Sequence, residues 1–235
     1  MLFPIGDDNI ERGHPAIFSY SFLLLNIAAF IFQASIPEGL RASFVETWGA
    51  IPFEISQGID LQTLITSIFM HGSWMHLIGN MLYLWIFADN IEAVIGNFRF
   101  LIFYLVGGLV AGLMQVAISP YSGIPCVGAS GAIAAVMGAY IVMFPKSRIR
   151  ILILLFFTVF YIPAWVFLGF WFIQQLASGL GVLGMSAEGT GGIAWWAHIG
   201  GFAAGVVLVK LFINRPQPLV LQPTWPDPDD DDRFI

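Results

Sequence analysis

The chain has 235 residues, 58% of them hydrophobic and only 10% charged, against about 45–50% and about 25% in soluble globular proteins. The apolar residues come in repeated runs of membrane-spanning length, which excludes an ordinary soluble domain and points to one compact polytopic membrane unit. The net charge of −6 owes much to a terminal run at Asp227 and Asp229–Asp232, no basic patch offers itself to nucleic acid, and the single Cys126 excludes an internal disulfide framework.

In chain order, "MLFPIGDDNIERGHP" is acidic and has no small-residue cleavage site, so it fits neither a secretory signal nor an Arg-rich transit peptide, and the first apolar run reads as a retained span. Apolar runs between polar or Pro/Gly breaks predict six helices near 16–36, 64–88, 98–118, 130–145, 150–173 and 193–213. The segment 37–63 is too polar to span. Leu40, Phe44, Trp48 and Ile51 fall at helical spacing there, which predicts an amphipathic stretch at the interface. The expected organisation is an all-α, six-transmembrane-helix bundle over 16–213. It lies between a cytoplasmic N-terminal segment, 1–15, and a disordered, acidic, proline-rich cytoplasmic tail, 214–235.

Lysine and arginine set the orientation. Arg12, Arg99, Lys146, Arg148, Arg150, Lys210 and Arg215 fall on one side of the predicted bundle and only Arg41 on the other. The positive-inside rule therefore places both termini in the cytoplasm and loops 37–63, 119–129 and 174–192 outside. A prokaryotic plasma membrane is the expected location. The fourth helix is short: from Ser130 to Phe144 it spans about 22 Å against a hydrocarbon core of about 30 Å. Lys146 and Arg148 hold its far end at the cytoplasmic surface, so Ser130 should sit roughly 8 Å below the outer boundary.

Polar side chains are costly within a bilayer and mark functional positions. His76 and Asn80 are four residues apart and share a helical face, whereas His71 points about 140° away from His76 and reads as structural. On the sixth helix His198, Gly201 and Gly205 form one stripe, and on the fourth Ser130, Ala134 and Gly138 form another, with Gly131 beside it. Two such small-residue faces can approach closely. Their crossing would bring His198 to Ser130 at the depth of His76 and Asn80. Gly128, Gly131, Gly201 and Gly205 are then turn or packing residues.

A serine hydroxyl becomes a useful nucleophile when a base within hydrogen-bond reach accepts its proton. Ser130 and His198 fit those roles. The backbone N–H groups of Ala129 and Ser130 at a helix N-terminus, the His76 ring and the Asn80 amide could donate to an oxyanion. The nearest acid on the outer side of His198 is Glu188, in a loop, so a dyad is expected rather than a triad. "HGSWMH" spaces its histidines five apart with no glutamate after the first, unlike the HExxH helix of zinc proteases. No metal and no cofactor are expected.

"GASG" at 128–131, "HGSWMHLIGN" at 71–80 and "AHIGGFAAG" at 197–205, in this order on the second, fourth and sixth predicted spans, resemble the rhomboid intramembrane serine proteases over roughly residues 16–213. The resemblance implies Ser130 as nucleophile, His198 as base, and His76 and Asn80 in the oxyanion site. It further implies a first loop partly embedded in the membrane, to which "WGAIPFEI" at 48–55 would belong, and a fifth helix that helps gate substrate entry. "DLQTLITSIFMHG" lacks the Trp-Arg pair often found just before the second helix of that family. The implied partners are transmembrane protein substrates and the bilayer, with no nucleic acid and the oligomeric state open. The alternatives are an inactive rhomboid-like membrane chaperone, which would not require Ser130 and His198 together, and a small transporter. Proton-linked transport would call for a mid-span carboxylate, and none falls within the predicted spans away from their ends.

Overall fold

The computed structural model describes residues 2–10, 13–153, 158–183, 193–213 and 221–222. It is mostly helical, with α1 (Ile17–Ser35), α2 (Glu38–Trp48), α3 (Pro52–Ser56), α4 (Thr63–Thr66), α5 (Trp74–Ile95), α6 (Asn97–Ile118), α7 (Ser130–Met143), α8 (Ala164–Gly181) and α9 (Trp195–Phe212). Three of these, α1, α6 and α9, are long and apolar enough to cross a membrane, and α7 is a shorter apolar helix. With these helices the chain is an integral membrane protein. The four-residue α4 runs on into a 3-10 turn at Ser67–Phe69.

Two predicted spans need correction. The helix expected as the second span begins at Trp74 and ends at Ile95 rather than covering 64–88. Its start is fixed by Ser73, whose hydroxyl accepts the His76 N–H at 3.2 Å, the usual N-cap bond. Its end is fixed by Gly96, at φ +84°, a conformation that glycine adopts without a side-chain clash. The helix expected as the fifth span begins at Ala164, after Pro163, rather than at 150. The apolar run before it is a pair of strands, β3 (Arg148–Ile153) and β4 (Thr158–Pro163). In "RIRILI" the alternation of Arg148 and Arg150 with buried Ile149 and Ile151 has the period of a strand, not of a helix. Pro163 then sits at the N-cap of α8, where its missing N–H is tolerated.

The N-terminal segment is part of the packed structure. Strand β1 (Leu2–Gly6) pairs antiparallel with β3, giving the sheet order β1-β3-β4, and β2 (Asn9–Ile10) pairs with β5 (Leu221–Gln222). Apart from those two residues of β5, the predicted tail lies outside the described residues. Between β1 and β2, Asp7 is buried and accepts hydrogen bonds from Tyr140 Oη on α7 and from Asn90 Nδ2 on α5. Asp8 Oδ2 accepts from the Arg148 backbone N–H at 3.0 Å. The sheet and this cluster stand at the end of α7 opposite Ser130. There too, Glu92, fully buried, accepts from the N–H groups of Phe18 and Ser19, the Ser19 hydroxyl and the Asn97 amide. Its four donors include two orphan amides at the start of α1, which has no side-chain cap of its own.

The centre of the bundle is α7 against α9. A side chain at Gly201 would strike the Gly131 carbonyl, one at Gly205 the Ala135 carbonyl, and one at Gly138 the Phe202 carbonyl. The two backbones are therefore in direct contact over two turns. Around them lies the apolar core, including Phe87, Phe100, Phe103, Tyr104, Met137 and Leu168.

Gly205→Val is expected to destabilise the protein by more than about 2 kcal/mol through overpacking, measured by reversible unfolding in detergent. Gly169→Ala, where an added methyl meets nothing within 4 Å, should stay within about 1 kcal/mol of wild type. Burial, with the Asp8 and Asp89 carboxylates nearby, pushes the Asp7 carboxyl well above the ordinary carboxylate range. A raised folded-state pKa favours docking of β1 fully at pH below about 4, and that contribution is lost as pH rises through the folded-state value. Protection factors of the β1–β3 amides should therefore fall with rising pH in wild type and stay level in Asp7→Asn; the same fall in the variant would contradict this account.

Candidate active site

Ser130 is the first residue of α7, placed there by a chain that is held on both sides. In the segment before it, Ala50 and Cys126 exchange two backbone hydrogen bonds at 3.0 and 2.8 Å, and the Phe53 N–H reaches the Ser122 carbonyl at 2.9 Å. The loop after α2 thus clips the approach to the serine. Gly128 donates its N–H to the Ser67 carbonyl at 2.9 Å and adopts φ +130°. A side chain there would meet the His76 ring at 2.8 Å and the Asn80 amide nitrogen at 3.4 Å. Only a residue without Cβ fits.

The structure brings four of the residues singled out from sequence to one place. The Ser130 hydroxyl stands 2.8 Å from His198 Nε2. The glycine contacts of α7 and α9 set this distance, since His198 lies one turn before Gly201 on the same stripe. His76 and Asn80 flank Gly128 from α5. The Gly72 N–H points to His76 Nδ1 at 3.4 Å. That contact leaves Nε2, the nitrogen beside Gly128, as the protonated one and so as a donor. Asn80 is buried, and its amide nitrogen has no hydrogen-bond partner among the described residues. A buried donor left unpaired costs about 1–3 kcal/mol. An acceptor arriving between His76 and Asn80 would recover that cost.

His71 is not part of this group. It is fully buried beneath it, edge-on to Phe30 and His76, and its backbone is held by Gln33, whose amide nitrogen donates to the His71 carbonyl at 2.7 Å. Gly201 and Gly205 serve the α7–α9 contact, Gly131 lends it a carbonyl while its own open side faces Ala111 on α6, and Ala129, fully buried, is the turn before Ser130. By general helix geometry the N–H groups of the first turn of α7 lack intrahelical acceptors and face the incoming chain end, where the helix dipole favours negative charge. Glu188 lies outside the described residues.

Two glutamines at the site were not foreseen. Gln175 on α8 is buried, with Oε1 at 2.8 Å from His198 Nδ1. Gln115 on α6 accepts the Ala197 N–H at 3.3 Å, supplying a partner for the uncapped start of α9. The signal was present in sequence as amides within apolar runs. The predicted fifth span ended at 173 and so assigned Gln175 to a loop.

A cavity adjoins the serine between the first loop, α6 and the start of α9, lined by Ala50, Ser67, Gly112, Gln115, Gly128 and Ala197 among others. Its lining is mainly small side chains and backbone. The arrangement contains the parts required for acyl transfer: a hydroxyl on a helix N-terminus, a ring nitrogen positioned to take its proton, and donors converging on the far side.

A family model described as the rhomboid domain matches residues 59–215. Rhomboid protease GluP of Bacillus subtilis is 30% identical over 138 residues, covering 59% of this chain and 26% of that protein. The human presenilin-associated rhomboid-like protein, mitochondrial, is 34% identical over 99 residues, 40% of this chain and 26% of that protein. Rhomboid protease GlpG of Klebsiella pneumoniae is 28% identical over 204 residues, 84% of this chain and 63% of that protein. The chain thus spans about a quarter of the length of the first two and under two thirds of the third.

Proposed function

The chain belongs to the rhomboid family, and from that membership we propose that it is an intramembrane serine endopeptidase that hydrolyses peptide bonds in or near transmembrane segments of membrane proteins. The observation that carries the reading is the 2.8 Å approach of the Ser130 hydroxyl to His198 Nε2. Protease-named relatives support the same class of activity.

In this mechanism Ser130 Oγ attacks the substrate carbonyl as its proton passes to His198 Nε2. The tetrahedral oxyanion is held by the first-turn backbone N–H groups near Ala129 and Ser130, the His76 Nε2–H and the unpaired Asn80 amide. Collapse breaks the C–N bond, and the imidazolium gives its proton to the departing amine. Water then attacks the acyl ester while His198 takes its proton. The acid product leaves, and the proton returns to Ser130 Oγ. No cofactor enters the scheme.

Six helices, α1, α5, α6, α7, α8 and α9, form the proposed transmembrane bundle, with the loop 37–63 partly embedded. The excess of Lys and Arg at the Asp7 end supports cytoplasmic termini and an active site toward the outer face of a prokaryotic plasma membrane. Transport fits less well. The one fully buried carboxylate of α5, Glu92, is occupied in capping α1.

A fluorophosphonate is expected to label the detergent-solubilised protein at Ser130, with labelling abolished in Ser130→Ala and reduced at least 100-fold in His198→Ala, about the scale of a lost general base. Equal labelling of wild type and Ser130→Ala would sink the assignment. Helix length supplies an independent check: four leucines inserted after Met137 would move Ser130 about 6 Å along the axis and turn it from His198. Cleavage of single-span substrates should then be lost while membrane insertion persists; retained cleavage would contradict the depth requirement.

A further inference from the structure

We infer that Gln175 is a third, neutral member of the catalytic group, a positioning residue that fixes the tautomer and ring plane of His198. The inference rests on the proposed Ser130–His198 chemistry and goes beyond it, since that scheme names nothing that holds the imidazole. A histidine can accept the serine proton at Nε2 only if Nε2 carries a lone pair, so the neutral ring must be protonated at Nδ1. Gln175 Oε1 is 2.8 Å from Nδ1. A carbonyl oxygen can only accept, so this contact selects the Nδ1–H form and turns the Nε2 lone pair toward Ser130, also at 2.8 Å.

The surroundings hold Gln175 in that relation. It shares the buried face of α8 with Ala164, Leu168 and Gly179, at helical spacing. Gly179 lets α8 lie close to α9, where an added side chain would meet Ile199 at 3.1 Å and Trp195 and Trp196 at 3.5 Å. Trp171, one turn before Gln175, has its ring 5.9 Å from that of His198. Gln174, the preceding residue, is about 100° around the helix and exposed. The amide also suits a membrane interior. A carboxylate in this place would bring a second desolvated charge, whereas an amide selects the tautomer without one. The cost is weaker stabilisation of the imidazolium than an acid would supply. Because Gln175 comes from α8, neither α7 nor α9 can complete the group alone, and His198 is held only while α8 is seated against α9.

The test uses the rate of Ser130 labelling by fluorophosphonate across pH, with no protein substrate required. Gln175→Leu is expected to slow labelling at least tenfold at neutral pH without changing the detergent unfolding midpoint, while Gln174→Leu stays within twofold of wild type. Gln175→Glu should retain labelling and move its acid limb to higher pH by at least one unit, because a carboxylate at Nδ1 favours the imidazolium and a higher pH is then needed to free the base. An unshifted limb in Gln175→Glu, or an unchanged rate in Gln175→Leu, would overturn the positioning role. In wild-type protein carrying 15N-histidine, assigned with His198→Gln, the neutral ring is expected as the Nδ1–H tautomer, and an Nε2–H tautomer would overturn it even if both variants failed to fold. Absence of labelling in wild type would instead refute the nucleophile, so the two failures are distinguishable.

Discussion

The contact of α7 with α9 is the constraint from which the rest of the site follows. Gly138, Gly201 and Gly205 allow carbonyls of one helix to touch the backbone of the other, a separation that any larger residue would increase. Helix association within lipid has little hydrophobic drive of its own and depends on such close packing. The distance between Ser130 and His198 is a consequence of it. Each residue sits at the N-terminal end of its helix, so a shift of either helix by one turn would move a polar side chain about 5.4 Å from its partner.

Around this pair the fold arranges different kinds of support. From α5, His76 and Asn80 approach Gly128, a residue that must lack a side chain because the ring and amide occupy its space. From the first loop, Ala50 and Phe53 hold the segment before Ser130 through backbone hydrogen bonds alone, so that support survives side-chain change in either partner. At the other end of α7, Tyr140 ties the helix to buried Asp7. The short helix is thereby fixed at both ends, which suits a proposed nucleophile that must keep its position while a substrate is handled.

The chain wrote some of its elements in two overlapping patterns, and the weaker was easily lost. Around residue 150 hydropathy alone predicts a continuous helix, but the alternation of arginine with isoleucine is a strand, and Pro163 ends the next strand, β4, at the start of α8. The end of α8 then lies about two turns beyond the predicted one, which carries Gln175 from a loop into the helix, beside His198. At α5 the same kind of boundary error hid Asp89, Asn90 and Glu92 from the predicted span, and with them the cap of α1. Charged residues near a helix end lower its hydropathy without ending it when buried donors satisfy them.

What the sequence determined by itself was local or periodic. Membrane class followed from composition, the shared face of His76 and Asn80 from the 3.6-residue turn, and the glycine stripe beside His198 from spacing alone. The pairing of small faces also narrowed which helices could meet. Tertiary structure alone decided which side chain fills each remaining polar position: that Gln175, 23 residues from His198, stands at its Nδ1, that the Gly72 amide orients the His76 ring, and that the N-terminal strand pairs with Arg148–Ile153. The physical reason is that a helix's periodicity states which residues share a face but not how far the helix is shifted along its axis or what opposes it. Those quantities are set by the sum of contacts from several distant segments.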